Sequence, residues 1–466
     1  MDASQRSEML GGMPVKKLLF SLAIPATIAM MANALYNLVD TIFVAWGAGE
    51  VAIGALSIVF PIQMIVIAFG LMIGIGSASV FSRAYGRGDE DTMKKVVMAA
   101  ITINLVMSLA MTIGGLIFIE PLLRLFGATA SNIDYARDYM VYILWSLVPF
   151  SGAIVLNNLT RAEGRPKVAM ISLLIGALLN IILDPIFIFD FNFLGFRGLN
   201  MGVEGAALAT LIAKTASFIY VFAMALSKRS ALNIDLRYWY RMDLKLTIET
   251  FVVGFPTFLR NTLGALLVII INNLINLYAT GDPAIYISIY GVINRLIMFL
   301  LLPGFGLVQG LQPIVGFNFG AEKYDRLKDV LRFCMQLITG YFFIMFILTL
   351  GLAEPLFRLF SRDADAFFIR EGARAIRIIA IGFTLIGYQI VMSAVYQAMG
   401  YAFRALLIAL LRQFILFIPL ALLLTWWFGI EGVWLTFLVS DITAGVISYV
   451  VYRYELRSLQ VMMQPA

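Results

Sequence analysis

The chain contains no histidine and a single cysteine, Cys334. Without histidine there is no imidazole metal site and no imidazole proton relay. One cysteine closes no intrachain disulfide, and Cys334, near the basic end of an apolar segment, fits the role of a small packing side chain. Charge is scarce too. Asp, Glu, Lys and Arg make up 13% of 466 residues, about half the share in a soluble globular chain. Hydrophobic residues are 61%, and the mean hydropathy is +0.91. So little charge marks an integral membrane protein. The net charge of +6 is spread over short loops, so it argues for membrane topology and against nucleic-acid binding. No aspartate-rich magnesium–diphosphate motif is present, and no catalytic group converges, so no enzyme is expected.

Apolar stretches of spanning length recur at 18–38, 51–80, 96–118, 139–158, 168–189, 203–226, 247–276, 284–317, 333–350, 376–396, 405–425 and 433–452. Each needs roughly 20 residues to cross about 30 Å of hydrocarbon. The expected fold is an all-α membrane protein of twelve transmembrane helices. The first apolar stretch carries Asp40 and lacks a small-residue cleavage site, so it should remain as a helix. One set of alternate loops and tails holds 22 Lys and Arg, and the opposite set holds 8. Positive charge favours the cytoplasmic face, which places both termini there.

The same design occurs twice. EPLLRLFGA at 120–128 returns as EPLFRLFSR at 354–362, an offset of 234. Gly70, Gly76 and Gly86 return at that offset as Gly304, Gly310 and Gly320. Six crossings per repeat give both halves the same orientation, so two parallel six-helix lobes are expected. Residues 1–226 form the first lobe, 227–246 a cytoplasmic connector, 247–452 the second lobe and 453–466 a cytoplasmic tail. LRYWYRM in the connector mixes basic and aromatic residues, as an interfacial helix does.

Chemistry is carried by polar residues that are costly inside a membrane. Asp40 interrupts an apolar run, and Asn180 and Asp184 share one helix face, four residues apart. Asn157, Asn158 and Thr210 lie in the same half. Buried carboxylates must be protonated, paired, hydrated or bound to a cation, so Asp40 and Asp184 are candidates for a proton or coupling-ion site. The alternatives are static polar packing and a segment boundary that lies nearer the membrane surface. Four basic residues also lie inside apolar segments: Lys214, Arg260, Arg295 and Arg412. Arg260 and Arg295 face a cavity or gate, or snorkel to an interface. Glu204 and Glu431 read as acids at helix starts. The many Phe, Met and Tyr residues suit amphipathic or cationic ligands.

In order along the chain, IPATIAMMANALYNLVDTIFV, RAEGRPKVAM, LLNIILDPIFIF and GVEGAALAT resemble a transporter of the multidrug and toxic compound extrusion (MATE) family, prokaryotic type. The resemblance covers nearly the whole chain. It implies two six-helix lobes around a central cavity. It also implies antiport of organic cations and other amphipathic drugs against protons or sodium, at the inner membrane of a prokaryote. Asp40, Asn180, Asp184 and Thr210 match the family's first-lobe cation site, joined by Asn157 or Asn158, and Pro25 matches the proline whose bending is tied to protonation. The chain departs from sodium-coupled members in the second lobe. Arg260 and Asn261 stand near one expected acid, and Tyr388 and Gln389 stand near the other. A second-lobe sodium site is therefore in doubt, and protons are favoured, with sodium at Asp40, Asn180, Asp184 and Thr210 still open. No cofactor is expected, the partners are drugs and membrane lipids, and the protein should be a monomer. The other function in view is a flippase for lipids or lipid-linked saccharides, motivated by Arg260 and Arg295 as a phosphate clamp.

Overall fold

Each apolar stretch expected to cross the membrane is helical in the computed structural model, which describes residues 3–129, 132–190, 192–193, 196–241, 243–360 and 366–463. A short helix α1 (Ala3–Gly12) precedes α2 (Val15–Arg87), which holds two spans, Val15–Val44 and Leu56–Arg87. The first half continues with α3 (Glu90–Ile117), α4 (Ile119–Leu125), α5 (Ile133–Ala162), α6 (Pro166–Ile188) and α7 (Gly202–Leu226). Between α6 and α7 lies a two-residue hairpin, β1 (Asn192–Phe193) against β2 (Phe196–Arg197), antiparallel, with Asn192 opposite Arg197. The second half comprises α8 (Leu244–Tyr278), α9 (Pro283–Gly320), α10 (Tyr324–Phe360), α11 (Ala366–Ile381), α12 (Phe383–Met399), α13 (Ala402–Leu410), α14 (Phe417–Phe428) and α15 (Ile430–Met462). Among the described residues, eleven helical spans are long and apolar enough to cross a membrane, and the bent pair α11–α12 makes a twelfth.

Local sequence explains several boundaries. Asp89 caps α3 by accepting from the Thr92 backbone N–H at 3.0 Å and from its hydroxyl at 2.6 Å. Acids early and lysines late then pair along the first turns, Glu90 with Lys94 and Asp91 with Lys95. Pro185 falls in the last turn of α6, which ends at Ile188. The tenth expected span, 376–396, straddles a break: α11 and α12 meet at Gly382 with a 52° bend. The missing side chain there lets Asp441 approach, since a Cβ on Gly382 would lie 2.7 Å from the Asp441 Cβ. The connector forms one tight 3-10 turn at Leu236–Arg241 in place of an amphipathic helix. Met242 of LRYWYRM, Ser361 and Arg362 of the second repeat copy and the last three residues lie outside the described residues.

Two of the three repeated glycine pairs, Gly76 with Gly310 and Gly86 with Gly320, lie where the halves touch, whereas Gly70 and Gly304 pack on Ile154 and Phe342 inside their own halves. A Cβ on Gly76 would lie 1.9 Å from the Thr250 carbonyl oxygen, and one on Gly254 would lie 1.9 Å from that of Met72. The counterpart contact joins Gly310 to Ala23. Backbone-to-backbone approach of this kind excludes every side chain larger than hydrogen. These contacts close the halves against each other at the end where α2 and α9 terminate.

Candidate functional site

The first-half polar residues converge because α6 packs against both α2 and α7. Asn180 Nδ2 donates to Asp184 Oδ1 at 3.0 Å and reaches Thr210 Oγ1 at 3.4 Å. Asn180, Asp184 and Thr210 are buried, and Asp40 on α2 is half-buried beside them. The Asp40 and Asp184 carboxyls lie within hydrogen-bond reach of each other. Two carboxylates can make that bond only when one holds a proton. Among the described residues, no donor reaches Asp40 Oδ1, Asp184 Oδ2 or Asn180 Oδ1. The site is thus short of donors and rich in acceptors, an arrangement suited to a proton or a small cation.

Asn157 and Asn158 separate. Asn158 accepts from Arg161 Nη2 at 3.0 Å and donates to the Ile154 carbonyl at 2.8 Å. It lines a narrow inter-lobe crevice with Arg161, Ser79, Ser82, Gln309 and Gln312. Asn157 is buried with its Oδ1 unpartnered. Pro25 is buried inside α2.

Two residues at the first-half site, Tyr36 and Tyr139, escaped the sequence reading, and Lys214, read there only as an embedded base, joins them. Tyr36 lies one turn before Asp40, and Tyr139 comes from α5, within hydrogen-bond reach of Gln63 at 3.5 Å. Both tyrosines sit in the field of Asp40 and Asp184. Lys214, one turn after Thr210 on α7, places its Nζ 4.7 Å from the ring centroids of both Tyr36 and Phe150. It also faces the charge of Asp40. The i+4 spacing of Tyr36 to Asp40 and of Thr210 to Lys214 was the available signal.

The second half holds its polar residues apart. Arg260 on α8 lies over Phe305 at 5.9 Å, while Arg295 is exposed and makes no ion pair among the described residues. Tyr388 packs on the rings of Tyr449 and Tyr452, at 5.2 and 5.8 Å. Gln389 donates to the Ile408 carbonyl at 3.0 Å, tying α12 to α13. This half does contain a buried acid: Asp441 on α15 pairs with Arg412 in the π-helical segment Leu411–Leu416. The sequence reading singled out Arg412 as an embedded base but not Asp441, a lone acid in the apolar run LVSDITAGV.

A second cluster lies at the basic end. Arg6 of α1 meets Glu163 at 3.6 Å and donates to the Arg229 carbonyl. Glu163 also accepts from Ser230, from the Ala231 N–H at 2.6 Å and from Arg165 at 3.3 Å. Burial pushes the Glu163 carboxyl above its usual range, and Arg6 and Arg165 pull it back. The other half grips the same helix through Asn318 and Lys323, which donate to the carbonyls of Leu10 and Gly11, and the residue after its end through Arg326, which donates to the Met13 carbonyl. No cluster of three or more acidic or cysteine side chains is placed to hold a metal among the described residues.

Two helical bundles built on one repeat, meeting through glycine at one end, with a buried carboxylate pair inside one of them, define a polytopic membrane transporter. A MatE family model matches residues 25–186 and again residues 261–423, and the chain belongs to this family. It is 27% identical over 442 residues, 94% of each chain, to the multidrug export protein MepA of Staphylococcus aureus strain MSSA476. Among solved structures it is 36% identical to the MATE multidrug transporter DinF-BH in complex with R6G, with TM-score 0.84 over 96% of this chain and 97% of that one. A superfamily transporter from Pyrococcus furiosus, described as having reversed binding-pocket polarity, shares the fold at TM-score 0.87 and 23% identity, over 97% of this chain and 98% of that one.

Proposed function

We propose that this protein exports bulky, often cationic amphipathic organic compounds by alternating access, driven by protons entering its first lobe. The observation that carries the proposal is the contact of Asp40 with Asp184, steadied by Asn180 and Thr210. One proton converts it from a repulsive pair into a hydrogen bond. Asn157, with its free oxygen, completes the set; Asn158 is engaged by Arg161. A proton arriving from outside neutralises the pair and favours drug release, and by reciprocity bound drug disfavours the proton. Each inward charge gains about 2.3 kcal/mol per 100 mV. The relatives named as multidrug exporters, and the neighbour that holds R6G, support this substrate class.

The working division keeps lobes at 1–226 and 247–452, with the connector and both termini in the cytoplasm of a prokaryote and the protein acting as a monomer. The flippase reading has less support, because Arg260 stacks on Phe305 and no contact joins it to the exposed Arg295. Drug transport in proteoliposomes, with pH and sodium gradients imposed separately at fixed potential, tests the proposal. Transport should follow the pH gradient and ignore sodium. Dependence on sodium alone would reject proton coupling, and no movement of any drug under either gradient would reject export.

A further inference from the structure

Among the described residues, Lys214 is the one basic group held at the carboxylate pair. Its ammonium lies between the faces of Tyr36 and Phe150, each 4.7 Å away, in the field of Asp40. The titratable groups around it are Tyr36 and Asp40 on α2, Tyr139 on α5 and Asp184 on α6. Two aromatic faces and a carboxylate stabilise an ammonium, and they hold it in place. They also satisfy it without an ion pair within 4.0 Å among the described residues, so Asp40 Oδ1 and Asp184 Oδ2 stay open.

Charge counting gives this position a consequence. Two carboxylates and one ammonium leave a single net negative charge, which one proton removes. A sodium ion would need several oxygen ligands gathered around it, against repulsion from the Lys214 ammonium in the same site. A proton needs only one carboxylate oxygen and is neutralised by the bond it makes.

We propose that Lys214 is the residue that sets ion specificity, a tethered cation that limits the first-lobe site to one proton and shuts out sodium. This rests on proton coupling as proposed above. In a chain without it, the same Asp40, Asn180, Asp184 and Thr210 oxygens would accept sodium or a second proton.

The test compares wild type with Lys214→Gln, Lys214→Met and Lys214→Arg, each first checked for a monodisperse gel-filtration peak. Methionine keeps the stem packed on the rings should glutamine fail to fold. Saturable binding of sodium to purified protein and sodium-driven drug transport in proteoliposomes are measured, with protons exchanged per drug. The neutral variants should gain sodium affinity by about tenfold or more, the effect of removing one nearby charge, or exchange two protons per drug. Lys214→Arg should stay indifferent to sodium. Neutral variants that fold, ignore sodium and still exchange one proton would overturn the proposal while leaving proton coupling intact. Sodium-driven transport by the wild type would overturn both.

Discussion

Gly86 and Gly320 close one end of the transporter against each other's helices. A Cβ on Gly86 would fall 2.0 Å from the Phe317 carbonyl oxygen, and one on Gly320 would fall 2.1 Å from that of Arg83. The two positions are repeat equivalents, so one sequence device serves both sides of a pseudo-twofold contact. Overpacking a tight contact costs about 1–3 kcal/mol. Either Gly→Ala change should therefore force the halves apart at the basic end. Distances between spin labels on α2 and α9 should lengthen in both variants by similar amounts. An unchanged distance would remove the glycines from the gate.

The carboxylate pair gives the clearest contrast between charge and volume. Asp40→Asn and Asp184→Asn keep side-chain size and remove the titration on which the proposed cycle depends. Drug export under a proton gradient should fall at least about tenfold in each, with the folded peak retained. Glu204 accepts from Tyr142 at 2.6 Å, at the start of α7, so Glu204→Gln should remain near wild type. Normal export by Asp40→Asn protein would defeat the first-lobe assignment.

Helix α1 behaves as a strap between the halves. It reaches Glu163 through Arg6 on one side and Asn318 and Lys323 on the other. Glu163→Ala leaves the buried Arg6 without its carboxylate, a change that costs roughly 3–5 kcal/mol in buried pairs. The strap should loosen, seen as faster amide exchange in residues 3–12. Unchanged exchange there would show that Arg6 contributes no restraint.

Most of this fold was legible because its signals are periodic and long. Twelve apolar runs, the basic loops and the repeated glycines lead to the two-bundle architecture, since lipid admits few alternatives. Asn180 and Asp184 were legible for the same reason, a helical spacing inside an apolar run. What could not be read was contact between distant elements. Tyr36 and Lys214 meet only when α2 and α7 pack, and Glu163 matters only once α1 folds back over it. The α11–α12 break was hidden because Gly382 looks like any other glycine until Asp441 fills its missing side chain.

Asp89 supplies a pH test outside the membrane. Hydrogen bonds from Thr92 hold its carboxyl below the ordinary 3.8 of an aspartate. A lowered carboxyl stabilises the folded state fully above that ordinary value and loses its effect as pH falls through the lower one. Asp89→Ala should thus destabilise the start of α3 by about 1 kcal/mol at neutral pH. The gap from wild type should shrink only below about pH 4, read as local amide exchange. A gap that is constant with pH would mean that the carboxylate form is not what caps the helix.

Asp441 and Arg412 pose a separate question, because a buried pair can be a structural tie or a moving part. Asp441 is almost fully buried and packs on Gly382 at the bend, and its partner sits in a π-helical segment. Removing one member leaves an uncompensated charge, so Asp441→Asn should cost roughly 3–5 kcal/mol. Replacing both by leucine removes charge and partner together and should recover most of that loss. Thermal unfolding of the two variants in detergent measures this directly. Transport by the double variant then separates the roles. Near-normal export would make the pair a structural tie, whereas a stable protein that no longer transports would place it in the conformational cycle, beside the α11–α12 break.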